Sequence, residues 1–202
     1  MKILIEAIPR CGSTTLMKAL GKVYKCRVGL EPWLKSTYHE TRTLNFLEDI
    51  PVKNVVVKTM VTQIPSDGDW EDRLNIHTEF AKQFDLVIFL GRKNKKEQIE
   101  SFLHAKFKKG YIGWHGKYNF DVELLDEHYT KYGTKYDFHM SELKALAKNL
   151  GKEIIWYEDL YSGDKNRVND CLKNLPNNIS YDTLKKYIDP IHKYRTSDKI
   201  LI

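Results

Sequence analysis

Short apolar runs alternate with longer stretches of mixed polarity along most of the chain. Four of these runs read KILIEAI, NVVVKTM, DLVIFLG and KEIIWYE, and they begin at Lys2, Asn54, Asp85 and Lys152. Continuous runs of Val, Ile and Leu without polar alternation are typical of strands that are covered on both faces, as in parallel sheets. The pattern therefore predicts a parallel sheet whose strands are separated by helices.

The stretches between these runs have the spacing of amphipathic helices. They include a helix from about Ser13, WEDRLNIHTEFAKQF from Trp70 and NKKEQIESFLHAKFKK from Asn94. A further apolar face extends from Leu124 to Leu150, and Gly133 interrupts it, so that two helices or a kinked helix are both open. Alternating strands and helices predict an α/β fold with three layers, a parallel sheet flanked by helices. Without repeats or linkers, we expect a single domain over residues 1–202.

Composition narrows the class of protein. The 202 residues are 42% hydrophobic and 30% charged, and no apolar stretch approaches the ~20 residues of a membrane helix. The start, MKILIEAIPRCG, lacks the apolar core and cleavage site of a signal peptide, so a cytoplasmic location is expected. Three cysteines without a CxxC pair suggest neither a disulfide framework nor a zinc site. The net charge of +6 favours an anionic partner such as a nucleotide or a nucleic acid.

The segment IPRCGSTTLMKAL, Ile8 to Leu20, connects the first predicted strand to its helix. Gly12 permits a tight backbone path, and the amides of Cys11 to Thr14 can form an anion nest at the positive end of the helix. Hydroxyl donors that also cap the helix are expected from Ser13, Thr14 and Thr15. A P-loop of the G-x-x-x-x-G-K-[ST] type has a lysine after the glycine, whereas here the cation is Arg10, before it. The alternative is an ordinary strand-to-helix turn.

The motif P-R-C-G-S-T-T-L resembles the 5′-phosphosulfate loop of sulfotransferases, usually close to P-[RK]-S-G-[ST]-[ST]-x-L. These enzymes transfer a sulfuryl group from 3′-phosphoadenosine-5′-phosphosulfate (PAPS) to a hydroxyl or amine, without a metal. The resemblance implies a P-loop-like fold and donor binding by residues 10–15. Thr15 replaces the tryptophan that stacks on adenine in many members, so another surface must hold the adenine. Cys11 replaces the usual serine, which we interpret as a tolerated substitution, although beside an anion nest its thiol is expected to ionise and oxidise more readily than most.

A second element follows in VIFLGRKNKKEQIESFLHAKF, which begins at Val87. Its pattern R-x-N-K-x-x-Q-x-x-S, with a strand before and a helix after, is similar to bacterial carbohydrate-type sulfotransferases. The resemblance assigns Arg92 and Ser101 to the 3′-phosphate of the donor. The alternative is that RKNKK is only a solvated basic surface. The run IIWYEDL from Ile154 resembles a late sulfotransferase strand, and Arg195 in the basic tail is a further candidate for the 3′-phosphate.

Catalysis of sulfuryl transfer needs positive charge on the transferring group and a base for the acceptor. Lys58 occupies the position of the lysine in the K-T-H segment of cytosolic sulfotransferases, and with Arg10 it supplies the charge. The histidine of that segment is Met60 here, and a thioether cannot accept a proton. Carbohydrate-type relatives use a glutamate, which points to Glu31 in VGLEPWL, near the end of a second predicted strand. Other candidates for the base are His39 and His115, and the alternative for Glu31 is an exposed turn residue.

Three other functions remain open on the sequence. A P-loop kinase of small metabolites would have the same architecture, but it should contain a GK[ST] motif. A nucleic-acid-binding module would account for the basic charge and for aromatic residues near KFKKGY. A sulfotransferase-like protein that binds the donor without turnover is compatible with Met60. The favoured hypothesis is an enzyme with a small-molecule or glycan acceptor and no nucleic-acid partner.

Overall fold

Five parallel strands form one sheet in the part of the chain that the structure describes. The computed structural model describes residues 1–29, 54–63, 69–107, 126–176 and 179–196, and of 104–107 and 189–196 the backbone alone. The strands are β1 (Lys2–Ala7), β2 (Arg27–Gly29), β3 (Val55–Met60), β4 (Leu86–Gly91) and β5 (Ile154–Trp156). Their order is β2-β3-β1-β4-β5, and each neighbouring pair is parallel. The predicted parallel sheet is confirmed, with β1 at its centre.

Helices connect and cover these strands. Within the described residues they are α1 (Ser13–Val23), α2 (Trp70–Ala81), α3 (Lys95–Phe107), α4 (Asp126–Asn149), α5 (Tyr157–Leu160), α6 (Lys165–Leu172) and α7 (Tyr181–Thr196). The predicted starts of α1, α2 and α3 agree with the structure to within one residue. The spacing of apolar residues located these helices because each has a face that packs against the sheet or a neighbouring helix.

The two faces of the sheet are covered by different helices. Because successive residues of a strand point to opposite faces, Ile3 and Ile5 of β1 belong to a core with Leu16 of α1. Leu4, between them, packs in a second core with Phe80 of α2. α7 packs on α1, and α4 packs on α2. The helices therefore lie on both faces of the sheet, and the predicted α/β architecture with three layers is confirmed.

The strand predicted through IIWYEDL is wrong beyond Trp156. β5 ends there, and Tyr157–Leu160 form the short helix α5. The reason lies in two adjacent carboxylates. Glu158 accepts a hydrogen bond from the backbone amide of Lys93 (2.9 Å), and Asp159 accepts one from the Lys93 ammonium (2.8 Å). Neighbouring side chains of a strand would point to opposite faces, so a strand could not bring both carboxylates to one lysine.

Of the two alternatives for the region around Gly133, the structure excludes two separate helices. α4 is one helix that runs from Asp126 to Asn149. A Cβ atom at position 133 would lie 3.2 Å from Lys95 Cε, which is closer than most Cβ contacts. Gly133 is therefore accommodated within the helix, where it lets the first turn of α3 approach closely.

The carboxyl ends of β3, β1 and β4 lie side by side in the sheet. Because parallel strands end at the same edge, the segments that follow them meet there. The segment after β1 carries Arg10, β3 carries Lys58 two residues before its end, and the turn after β4 carries Arg92. This edge thus brings together three cations that the sequence assigned to one site. No helix in the described residues is long and apolar enough to cross a membrane.

Candidate functional site

The turn from β1 to α1, residues 8–12, contains two left-handed residues. Gly12 has φ 79°, which glycine adopts without steric cost, and Arg10 has φ 65°, which is uncommon for a residue with a side chain. A Cβ atom at Gly12 would lie 2.8 Å from Tyr161 Cε2 and 3.1 Å from Tyr157 Cδ2. Gly12 is therefore required both by its backbone conformation and by the rings that pack on it.

Side chains from later elements of the chain hold the carbonyl groups of this turn. Three such hydrogen bonds are Gln98 Nε2 to Pro9 O (2.8 Å), Arg92 Nη1 to Arg10 O (3.2 Å) and Tyr161 Oη to Gly12 O (2.8 Å). A carbonyl engaged in this way turns its negative end toward the surrounding protein. Such contacts keep the oxygens of the turn away from an anion that binds its amides.

Two backbone amides around the start of α1 remain open. They are those of Gly12 and Thr14, for which no acceptor occurs within the described residues. The prediction that the hydroxyls cap the helix is wrong: Gly12 is the N-cap residue and makes no side-chain cap, and its carbonyl accepts from the amides of Thr15 and Leu16. The first turn of α1 has no acidic residue. This helix N-terminus is thus suited to an anion.

The three hydroxyl groups of the turn have different surroundings. Ser13 and Thr15 are buried, with 3% and 4% exposure. Thr14 Oγ1 accepts a hydrogen bond from Lys58 Nζ at 2.8 Å, and Lys58 is completely buried. A hydroxyl that accepts from an ammonium can still donate its own proton. Thr14 is therefore the hydroxyl best placed to contact an oxyanion, with the charge of Lys58 directly behind it.

The expectation that the Cys11 thiol ionises readily is wrong. Cys11 is completely buried, and its Sγ donates to Ile8 O at 2.9 Å. Burial raises the pKa of the thiol to about 11, and hydrogen bonds from Ser13 together with the charge of Lys58 oppose this rise without overcoming it. The side chain of Cys11 is thus a neutral structural group, and only its backbone can contribute to the predicted anion nest.

Arg10 and Ser101, which come from the two predicted anion-binding elements, contact each other. Arg10 Nε donates a hydrogen bond to Ser101 Oγ at 3.0 Å across 91 residues of sequence. As acceptor in this bond, the serine hydroxyl retains its own proton for donation. The structure therefore joins the two elements in one constellation, in which Ser101 orients the Arg10 guanidinium.

Arg92 is engaged on several sides. Its side chain is 6% exposed, Nη2 lies 2.5 Å from Glu97 Oε2, and Nε lies 3.9 Å from Glu158 Oε1. The guanidinium carbon is 4.5 Å from the centre of the Tyr157 ring. Nε is buried and has no hydrogen-bond partner within the described residues. An anion can reach Arg92 only where Glu97, the more exposed of its two acidic neighbours, gives way.

Several predicted site residues lie outside the described part of the chain. Glu31, His39 and His115 fall in ranges 30–53 and 108–125, so the assignment of the base stays a prediction. Arg195 lies on the last turn of α7, where the structure describes the backbone alone.

Three further residues shape the site and were not predicted from the sequence. They are Gln98, Glu158 and Tyr161. Gln98 was part of the pattern R-x-N-K-x-x-Q-x-x-S but was given no role. Its position three residues before Ser101 on one helix was a usable signal, since such residues share a face. Glu158 and Tyr161 make their contacts because the strand ends at Trp156. The longer predicted strand did not include that end.

No cluster of three or more His, Cys, Asp or Glu side chains that could hold a metal ion occurs among the described residues. In comparisons with models of protein families and with curated proteins, nothing matched this chain.

Proposed function

We propose that this protein is a sulfotransferase that transfers a sulfuryl group from PAPS to a hydroxyl or amine of a small-molecule or glycan acceptor. The observation that carries the proposal is the turn after β1. Its carbonyls are held by surrounding side chains, while the amides of Gly12 and Thr14 have no acceptor in the described chain. Two cations, Arg10 and Lys58, accompany these amides. The arrangement supports binding of a compact oxyanion such as the 5′-phosphosulfate.

The 5′ end of the donor would bind at the N-terminus of α1. The amides there, the hydroxyl of Thr14 and the helix dipole favour the phosphate oxygens. Lys58, buried behind Thr14, adds charge where negative charge grows on the phosphate as the sulfuryl group departs. Arg10 can serve the same oxygens because Ser101 fixes its guanidinium. A donor-binding site of this kind needs no metal among its ligands.

The 3′-phosphate of the donor would bind near Ser101 and Arg92. Ser101 can donate its hydroxyl proton while accepting from Arg10, and Arg92 can offer Nη2 once Glu97 is displaced. A dianionic phosphate competes well with one carboxylate for a guanidinium, because it carries more charge and more acceptor oxygens. The Arg92 bond to the Arg10 carbonyl uses the other terminal nitrogen and is compatible with this exchange.

The proposed reaction is a direct in-line transfer. The acceptor oxygen or nitrogen attacks sulfur, the bond between sulfur and the bridging phosphate oxygen breaks, and the electron pair leaves with adenosine 3′,5′-bisphosphate. The acceptor proton passes to a base, for which Glu31 is the candidate and His39 and His115 are the others. The contributions of the enzyme are then positioning and charge stabilisation at the leaving oxygen.

Calorimetric titration with adenosine 3′,5′-bisphosphate tests the donor site. We expect micromolar binding without a metal, and much weaker binding of adenosine monophosphate, which lacks the 3′-phosphate. Preference for ATP with magnesium would support the kinase instead. Equal, salt-sensitive binding of random oligonucleotides would support the nucleic-acid module. Either result, or no binding of the bisphosphate, would overturn the proposal.

Two variants test catalysis once binding is established. Arg10→Ala should abolish transfer from PAPS with little loss of fold stability, since Arg10 lies at the edge of the sheet. Glu31→Gln should lower turnover but leave affinity for the bisphosphate nearly intact. Unchanged turnover in Glu31→Gln would show that another residue is the base, and His39→Gln and His115→Gln would then be compared.

A further inference from the structure

We propose that Gln98 is a positioning residue that, together with Arg92, holds Arg10 in its left-handed conformation and thereby shapes the anion site. The inference rests on the proposed function only for the identity of the anion, which would be the phosphosulfate of the donor. Its physical basis is independent of the ligand. It concerns two hydrogen bonds that reach the turn from the segment β4–α3.

The two hydrogen bonds hold the peptide groups on either side of the Arg10 Cα atom. Gln98 Nε2 binds Pro9 O, which belongs to the peptide before this atom, and Arg92 Nη1 binds Arg10 O, which belongs to the peptide after it. A peptide unit is planar, so fixing both carbonyls fixes the two dihedral angles between them. These are φ and ψ of Arg10, and φ is 65°. The pair of contacts thus holds the residue in a conformation that it would otherwise rarely adopt.

The same helix also holds the side chain of Arg10. Gln98 and Ser101 are three residues apart on α3 and share a face of the helix. Gln98 fixes the backbone beside Arg10, and Ser101 Oγ accepts from Arg10 Nε. Gln98 is also buried, with 4% exposure, which protects its hydrogen bond from competition by water. Backbone and guanidinium of Arg10 are therefore both set by α3.

This positioning has a direct consequence for the anion nest. A change in φ or ψ of Arg10 would redirect the amide of Cys11, the first of the nest, relative to the Arg10 side chain, and would move the guanidinium away from Ser101. A carbonyl that turned toward the ligand would also repel its oxyanion. Loss of the Gln98 amide donor should therefore weaken anion binding, although Gln98 contributes no positive charge and is not itself placed against the ligand.

The test compares Gln98→Met with Gln83→Met. Methionine has nearly the length of glutamine and lacks its donor, and Gln83 is an exposed glutamine beyond α2 whose side chain makes a long 3.5 Å bond to Glu79 O. We expect Gln98→Met to bind adenosine 3′,5′-bisphosphate about tenfold more weakly, the effect of one lost buried hydrogen bond. In transfer assays KM for PAPS should rise more than kcat falls. Gln83→Met should match the wild type in both measurements.

A second variant separates positioning from packing. In Gln98→Glu the carboxylate cannot donate to Pro9 O, but the neutral carboxylic acid can. Without ligand, the exchange rates of the Thr15 and Leu16 amides in this variant, relative to those of the wild type at the same pH, should recover as the pH is lowered from 8 to 5. The absence of an anion removes the repulsion that the carboxylate itself would exert on a ligand. Gln98→Met should show no such recovery. A purely structural role would give both variants the same pH dependence.

Hydrogen exchange without ligand distinguishes this inference from the proposed function. The amides of Thr15 and Leu16, which donate to the Gly12 carbonyl at the end of the turn, should exchange faster in Gln98→Met than in Gln83→Met, with the β1 and β4 amides unchanged. If the wild type fails to bind the bisphosphate while exchange accelerates as expected, the proposed function is wrong and the positioning role stands. Unchanged exchange at Thr15 and Leu16 would overturn the positioning role. So would an unchanged affinity of Gln98→Met when the wild type does bind the bisphosphate.

Discussion

Two neighbouring strand-to-helix turns of this protein have the same architecture and opposite chemistry. The β1–α1 turn leaves the amides of Gly12 and Thr14 without an acceptor in the described chain. The β4–α3 turn has its amides occupied, because Glu158 accepts from the amides of Lys93 (2.9 Å) and Asn94 (2.8 Å). A carboxylate of the protein thus takes, at the second turn, the place that we propose for an external anion at the first turn.

The comparison shows that a helix N-terminus at the edge of a sheet is not an anion site by position alone. Both turns follow a buried strand, and both precede a helix whose dipole favours negative charge. What differs is whether another part of the chain supplies a carboxylate. At the β4–α3 turn, α5 supplies Glu158 and Asp159. At the β1–α1 turn, α5 is followed by Tyr161, whose hydroxyl donates to the Gly12 carbonyl instead.

The largest effect on stability and on ligand affinity should come from adding a side chain at Gly12 of the β1–α1 turn. Gly12→Ala combines an unfavourable positive φ with a contact of 2.8 Å to the Tyr161 ring. We expect a loss of ~2–4 kcal/mol in the free energy of unfolding and at least ~tenfold weaker binding of adenosine 3′,5′-bisphosphate. Urea denaturation and calorimetric titration measure the two effects.

Gly163 provides a matched control for this variant. Its φ is 78°, almost the same as that of Gly12, but a Cβ atom there would meet nothing within 4 Å. Gly163→Ala should therefore cost only the conformational term, ~1 kcal/mol, and leave ligand affinity unchanged. Equal losses of stability in the two variants would show that the packing of Tyr161 on Gly12 is unimportant.

An intermediate effect on stability is expected when the amides of the β4–α3 turn lose their carboxylate acceptor. Glu158→Ala removes the acceptor of two backbone amides, which should lower the free energy of unfolding by ~1–3 kcal/mol. Added sulfate should restore part of this loss, because the amides of the exposed turn would then be available to an external anion, as we propose for the first turn. Glu153→Ala, an exposed glutamate of the same segment, is the control. A sulfate response no larger than that of the control would refute the analogy between the turns.

A smaller effect concerns the pH dependence of the second turn. The Lys93 ammonium, with help from Arg167, holds the pKa of Asp159 below its usual range. A depressed carboxyl pKa stabilises the fold above the ordinary pKa, about 4, and this stabilisation is lost as the pH falls through the folded-state value. Asp159→Asn should therefore lower the free energy of unfolding at pH 7, and the deficit should shrink below about pH 4. A deficit that is constant with pH would assign the effect to packing.

The smallest effect concerns the chemical reactivity of Cys11, the thiol of the β1–α1 turn. Because its burial raises the pKa to about 11, iodoacetamide at pH 8 should modify Cys26 and Cys171, which are partly exposed, well before Cys11. Mass spectrometry of the native protein measures the order of modification. Early reaction at Cys11 would mean that the turn opens far more often than its hydrogen bonds imply.

Much of the fold was predictable because it depends on local patterns. The apolar runs located β1, β3 and β4, and Gly12 was expected at a tight turn for the reason that the structure gives. The left-handed conformation of Arg10 was not predictable, because it depends on two hydrogen bonds to Arg10 and Pro9 that span 82 and 89 positions of the sequence. The occupation of the β4–α3 turn was missed for a related reason. This occupation of the turn requires β5 to end at Trp156, and the residues around that position contain no turn signal.

The hydrogen bonds that hold the β1–α1 turn also determine when it can form during folding. The contacts of Arg10 with Ser101 and of Gly12 with Tyr161 span 91 and 149 residues, which are long loops to close. Contacts of such high separation form late in the folding of a domain. A nascent chain that had only reached the end of α1 would contain the whole P-R-C-G-S-T-T-L motif without its shape. The conformation that we propose to bind an anion would therefore be acquired near the end of folding, after α3 and α5 have docked.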